Sequence, residues 1–136
     1  MGHKKDILIV DDSRLIRTQV RGILESDERL NVVGEAANGL EALTMISRDG
    51  PDVIVLDLEM PGMGGLEFLR HAKLRTRARV VVLSSIVALG SKSAAMARAL
   101  GADAVISKPS GVVSMDIAEK RGALLTRVVA DLAGLV

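Results

Sequence analysis

Six polar residues in this chain have types that can do chemistry together. They are an acidic pair, Asp11-Asp12; a third carboxylate, Asp57; a hydroxyl pair, Ser84-Ser85; and a cation, Lys108. Each follows a short apolar run. Three carboxylates gathered in one place repel each other, so either their pKa values rise or a cation joins them. Oxygen ligands without His or Cys favour a hard ion, Mg²⁺ before Ca²⁺, with water completing the shell. A lysine and a hydroxyl beside such an ion can hold a transferring phosphoryl group by charge and position. A carboxylate among them can be the nucleophile, giving an aspartyl phosphate.

The elements that must position these residues are legible as alternating apolar runs and amphipathic stretches, the βα pattern. The runs are Ile7–Val10, Val32–Ala37, Val53–Leu56, Val80–Leu83 and Ala104–Ile106. Four are apolar throughout, as strands covered on both faces are. Glu35 interrupts the second, which predicts an edge strand. The first helix is predicted from Arg14 to about Glu25, capped by Ser13, with Ile16, Val20, Ile23 and Leu24 inward. A second opens at Asn38-Gly39 and carries Leu40, Leu43 and Ile46. A third follows Gly64-Gly65 with Leu66, Phe68 and Leu69. A fourth, capped by Ser91 or Ser93, ends at Gly101. The last runs from about Met115 to Leu132, with Ile117, Leu124, Leu125, Val128 and Leu132 as its core stripe. Five such units predict a flavodoxin-like, doubly wound five-stranded parallel sheet of order 2-1-3-4-5 with five helices. That order sets the first and third strands side by side at the switch point, so Asp11, Asp12 and Asp57 converge on one crevice, with Ser84 and Lys108 across it.

The bulk composition narrows the classes. The chain has 136 residues, the size of one domain. It is 49% hydrophobic with a single Phe and no Trp or Tyr, so its core is aliphatic. The net charge is +1, with no basic field that would suit nucleic acid. No Cys is present, which excludes disulfides and thiolate metal sites and fits a cytoplasmic setting. The apolar run after the charged start is too short for a signal peptide or a membrane span. His3 and His71 read as solvated side chains. Met60, Met63, Met96 and Met115 read as core fillers.

Each chemical residue also has a plainer reading. Asp-Asp after a strand is commonly a helix-capping turn, Ser84-Ser85 can simply end a strand, and Lys before Pro is commonly on the surface. Their conjunction at the ends of strands one, three, four and five is what points to a site.

At this point the chain resembles the receiver domain of two-component response regulators, over about Lys5 to Leu132. The matching segments are ILIVDDS, VIVLDLEMPGMGGLEFL, VVVLSS and ALGADAVISKPSG. The resemblance implies that Asp57 accepts a phosphoryl group from a histidine kinase and that Asp11, Asp12 and Asp57, with the Glu59 backbone carbonyl, hold Mg²⁺. It also implies that Ser84 is the hydroxyl switch, that Ser85 shapes access to the phosphoryl group, and that Lys108 contacts a phosphate oxygen. An effector domain or partner protein would read a surface of the fourth helix, fifth strand and fifth helix. A cis Lys108-Pro109 bond is a further expectation. Leu58-Glu59-Met60-Pro61, the serine pair, Lys108-Pro109-Ser110-Gly111 and an extra two residues through Ala88-Leu89-Gly90 are most similar to the receiver of chemotaxis protein-glutamate methylesterases. On that reading residues 1–136 are one receiver domain, not itself a separate enzyme, with the effector domain elsewhere.

The sequence departs from the family pattern twice. Val105 stands at the usual aromatic switch position, which puts the aromatic-rotamer form of signalling in doubt. Gly64-Gly65 stands where Asp-Gly is usual, which loosens the start of the third helix. A stand-alone receiver acting by partner binding fits the same residues. A haloacid-dehalogenase-like phosphatase is a remote alternative, since Asp57-Leu58-Glu59 resembles its Asp-x-Asp motif; that family places the motif after its first strand. A flavodoxin-like cofactor binder would need a phosphate-cradling first loop and flavin-stacking aromatics, and this sequence has neither.

Overall fold

The computed structural model describes residues 4–60, 63–85, 88–109 and 115–135, with only the backbone of Met115 and Asp116. His3, Pro61, Ser110 and Gly111 lie outside the described residues. The elements run β1 (Lys5–Val10), α1 (Arg14–Glu25), β2 (Leu30–Ala36), α2 (Gly39–Leu43), β3 (Val53–Asp57), α3 (Gly65–Arg75), β4 (Arg79–Ser84), α4 (Lys92–Ala99), β5 (Ala104–Ser107) and α5 (Met115–Leu132). The strands form one parallel sheet of order β2-β1-β3-β4-β5. Fold class and strand order are those expected from the sequence, and β2 is an edge strand as Glu35 implied.

Side-chain alternation divides the core into two layers. Leu8, Val10, Ile54, Leu56, Val80 and Val82 face α2, α3 and α4, where Phe68, Leu69, Ala72 and Ala97 are buried against them. Ile7, Ile9, Val53, Val55, Val81 and Leu83 face α1 and α5, where Val20, Leu24, Leu125 and Val129 are buried. Both sheet faces are covered, which is why the central runs Ile7–Val10, Val53–Leu56 and Val80–Leu83 are apolar throughout.

Edge strand β2 carries a bulge. Ile7 pairs with Val32 but Leu8 pairs with Gly34, so Val33 is an extra residue and is exposed. An inserted residue reverses which face the rest of the strand presents. Glu35 therefore pairs with Ile9, on the α1 side, and not with Val10.

Three sequence expectations change. Helix α2 ends at Leu43 and excludes Ile46, because Thr44 caps it and Ser47 bridges to Gly50. Leu40 then points outward at 64% exposure, while Gly39 and Ala42 pack inward. In α5, Leu125, Val128 and Leu132 pack on the core as expected, joined by Val129, but Ile117 and Leu124 are exposed. Leu124 is one residue from Leu125, a rotation of about 100° in an α-helix, which takes it off the sheet-facing side. The cis peptide among the described residues is Gly50-Pro51, not Lys108-Pro109. The trans preference before Pro is small, so surrounding structure selects the isomer.

Candidate phosphoacceptor site

The carboxyl ends of four strands set the site. Val10 pairs with Leu56, and Asp11 continues past it to donate its N–H to Ala36 O at 3.0 Å. Asp57 pairs with Leu83, and Ser84 with Ser107. The ladder then runs one residue further, with Lys108 N–H donating to Ser84 O at 2.8 Å. Asp11, Asp57, Ser84 and Lys108 are thus neighbouring strand ends, not loop residues that happen to be close.

A carboxylate oxygen from each of Asp11, Asp12 and Asp57 lies within 4.8 Å of the other two. Asp11 and Asp57 are buried and Asp12 is exposed. Lys108 Nζ stands 3.0 Å from Asp57 Oδ1, which also accepts the Glu59 N–H at 3.1 Å. Asp11 Oδ1 accepts the Ser13 N–H at 2.8 Å, whereas Asp11 Oδ2 is buried without a hydrogen-bond partner. A buried carboxylate oxygen without a donor is costly.

The titration behaviour follows. Burial pushes the Asp11 carboxyl up to about 6; the Ser13 N–H opposes this, and the nearby Asp57 charge adds to it. Burial also raises Asp57, against the pull of Lys108 and the Glu59 N–H. For Lys108, burial works to lower the pKa, but the Asp57 carboxylate outweighs it and holds the ammonium above its ordinary value. One lysine does not balance three carboxylates. The orphaned Asp11 Oδ2 and the all-oxygen donor set fit a hard divalent cation shared by Asp11, Asp12 and Asp57.

The remaining sequence candidates fall into place unevenly. Ser84 is fully buried, and its hydroxyl donates to its neighbour's carbonyl, Ser85 O, at 3.3 Å rather than into the acidic cluster. The Ser85 hydroxyl accepts from Ala88 N–H at 3.3 Å and so shapes the turn after β4. Glu59 is exposed, and its amide contacts Asp57. Val105 packs partly buried against the α2–α3–α4 layer. A groove of about 980 Å³ between α1 and α5 is lined by residues including Gly22, Ile23, Gly122 and Thr126 and does not include Asp11, Asp12 or Asp57.

Two contributions went unread in the sequence. Gly65 brings the start of α3 against β3: an added Cβ would lie 2.6 Å from Asp57 O and 2.8 Å from Leu58 Cα. The Gly64-Gly65 pair carried the signal, since close backbone approach requires glycine. Gly64 makes no side-chain cap, so α3 begins without the usual Asp support, as the sequence suggested. The other contribution is Arg17, whose Nη1 donates to Asp11 O at 2.6 Å.

The response regulator receiver domain family matches residues 7–118. A protein-glutamate methylesterase/protein-glutamine glutaminase of Halalkalibacterium halodurans is 41% identical over 122 residues, covering 90% of this chain and 35% of that protein. The corresponding protein of Pyrococcus horikoshii is 37% identical over 94% of this chain and 35% of its own length. The chain thus spans about a third of the curated relatives it matches. Among solved structures, the response regulator domain of Thermotoga maritima CheB superposes with a TM-score of 0.80 at 30% identity, covering 98% of this chain and 99% of that one. A chain in the crystal structure of the CheA3 P1 domain in complex with CheY6 from R. sphaeroides has a TM-score of 0.78 at 43% identity, covering 98% and 99%. With its strand order, its acidic crevice and its match over most of the length, this chain belongs to the response regulator receiver domain family.

Proposed function

We propose that the chain accepts a phosphoryl group on Asp57 from the phosphohistidine of a histidine kinase, in chemotaxis signalling. The observation that carries this reading is the Lys108–Asp57 contact of 3.0 Å beside the clustered carboxylates of Asp11 and Asp12. An Asp57 carboxylate oxygen attacks phosphorus; the new O–P bond forms as the donor's N–P bond breaks, and the imidazole leaves. Lys108 stays beside the acceptor and compensates charge on the phosphoryl oxygens. Asp11, Asp12 and Asp57, with the Glu59 carbonyl, would hold Mg²⁺, which supplies charge neutralisation when bound. Ser84 leaves the Ser85 carbonyl to donate to a phosphoryl oxygen, with Ser85 beside it bordering the access path. Water later hydrolyses the acyl phosphate.

The signal would leave through α4, β5 and α5. Met96, expected among the core fillers, is instead exposed on α4 with Ala95 and Ala99, as is Leu124 on α5. These are the side chains an effector domain or partner would meet. The similarity to methylesterases supports a parent protein in which this receiver regulates a methylesterase domain. A receiver that acts alone by binding a partner is the second reading, favoured by the 43% identity over 99% of the chain solved with the CheA3 P1 domain. Whether the reading frame continues past Val136 into a hydrolase separates the two. The acceptor is tested by incubating the protein with acetyl phosphate and Mg²⁺ and measuring intact mass. A gain of one phosphoryl group that vanishes in Asp57→Ala is expected; no gain in wild type, or the same gain in the variant, refutes the assignment.

A further inference from the structure

The acidic pair is held from outside by an ion network that belongs to no part of the acceptor chemistry. Arg17, on the second turn of α1, is largely buried, with 14% of its side chain exposed. Its Nε donates to Glu35 Oε1 at 3.1 Å, and its Nη1 donates to the Asp11 carbonyl at 2.6 Å. Arg21, one turn later, donates from Nε to the other Glu35 oxygen at 2.6 Å. Glu35 thus has one oxygen on each arginine. Burial works to raise its pKa, but the two arginines hold it below its ordinary value.

The backbone on either side of Asp11 is consequently held. Its N–H is bonded to Ala36 O and its C=O to Arg17. Both grips come through β2, at consecutive residues: Ala36 directly and Glu35 through Arg17. The bulge at Val33 makes this possible. Without it, Glu35 would pair with Val10 and point to the α2–α3 side, away from Arg17. The Asp11 carbonyl belongs to the peptide that joins Asp11 to Asp12. Fixing that plane sets the direction in which both carboxylates leave the chain.

We propose that Arg17 and Glu35 are positioning residues for the acidic site, with Arg17, held by Glu35, fixing the Asp11–Asp12 peptide so that both carboxylates meet a divalent cation. This rests on the cation reading of the site. Groups that orient metal ligands without touching the metal characteristically change affinity by about tenfold or more.

The sign of the effect separates positioning from charge. Arg17 puts a cation beside the acidic cluster. By electrostatics alone, removing it should tighten Mg²⁺ binding; by positioning, it should weaken it. The experiment is calorimetric titration of the metal-free full chain with Mg²⁺, together with hydrogen exchange of the Ser13 amide, which is bonded to Asp11 Oδ1. In Arg17→Gln we expect binding about tenfold weaker, with faster Ser13 exchange and an unchanged rate at Leu8 in β1. Unchanged or tighter binding, or wild-type Ser13 exchange, overturns the proposal. If Arg17→Gln does not fold, Glu35→Gln is titrated in about 0.5 M KCl, where distant charge is screened; weaker binding supports the clamp and wild-type affinity overturns it. Failure of the wild type to bind Mg²⁺ sinks the cation reading instead, and the clamp then stands or falls on Ser13 exchange alone.

Discussion

Two lysine–aspartate pairs sit at opposite ends of this sheet, and both close at 3.0 Å. At the amino end, Asp103 precedes β5 and meets Lys73 from α3. At the carboxyl end, Asp57 ends β3 and meets Lys108 after β5. Distance does not tell them apart; the company each carboxylate keeps does. Asp103 also accepts the Val80 N–H at 2.7 Å and an Arg79 guanidinium N–H at 3.4 Å. Burial works to raise its pKa, but the Val80 N–H, Lys73 and Arg79 hold it below the ordinary value. Asp57 has Lys108 and one amide, but two further carboxylates stand beside it, and its pKa is raised. The amino-end pair is electrostatically complete and ties α3 to β4 and β5. The carboxyl-end pair is left short of positive charge, which suits a site that takes up a cation and then a phosphoryl group.

Exchanging the lysines breaks this comparison most sharply. Lys108→Met should slow phosphorylation by acetyl phosphate about a hundredfold, the cost of one lost charge-stabilising group. Lys73→Met should leave the rate unchanged. Equal rates for the two variants in a mass-spectrometric time course would erase the distinction.

The pH dependence of stability is the next largest effect. Asp11 titrates near 6 in the folded chain and near the ordinary 3.8 when unfolded. A raised carboxyl pKa contributes stability that is present below the unfolded value and lost as pH rises through the folded one. In metal-free protein, unfolding free energy should therefore fall by roughly 3 kcal/mol between about pH 4 and pH 6.5. Asp103, with its lowered pKa, works the other way: its contribution is present above the ordinary carboxyl value and fades only in stronger acid. Urea melts across this range, with and without Mg²⁺, read both terms; a flat metal-free profile would remove the burden assigned to Asp11.

Smaller still is the pair of neutral isosteres. Asp103→Asn should cost about 2 kcal/mol, because the Val80 amide, Lys73 and Arg79 lose a charged acceptor. Asp57→Asn should stabilise at pH 7, since it removes a buried charge from a repulsive cluster while ending phosphorylation. Thermal melts of the two variants shifting in the same direction would sink this contrast.

The clustering of Asp11, Asp12 and Asp57 with Lys108 was legible because strand ends are local features. An apolar run followed by Asp, Ser or Lys says where a sheet edge lies, and a parallel order brings such edges together. Gly65 was half legible: the glycine pair was visible, but the 2.6 Å approach to Asp57 O exists only once α3 packs on β3. The inward face of α5 was read in part: Leu125, Val128 and Leu132 pack on the core, but Leu124 does not, and Leu124 and Leu125 are equally apolar in the sequence. Which one is buried depends on how the helix rotates against β4 and β5.

What the sequence determined by itself is the strand order, the two-layer aliphatic core and the set of polar residues at the carboxyl edge. All follow from residue type and period along the chain. Only the tertiary structure decided how those residues are held and balanced. The bulge at Val33 is defined by cross-strand pairing and has no local signature, yet it turns Glu35 toward Arg17 and, through Arg17, grips Asp11. The raised Asp11 and Asp57 and the lowered Asp103 likewise come from burial and from neighbours distant in sequence. Hydrogen-bond partners and desolvation are set by packing, and packing is not written at any one position of the chain.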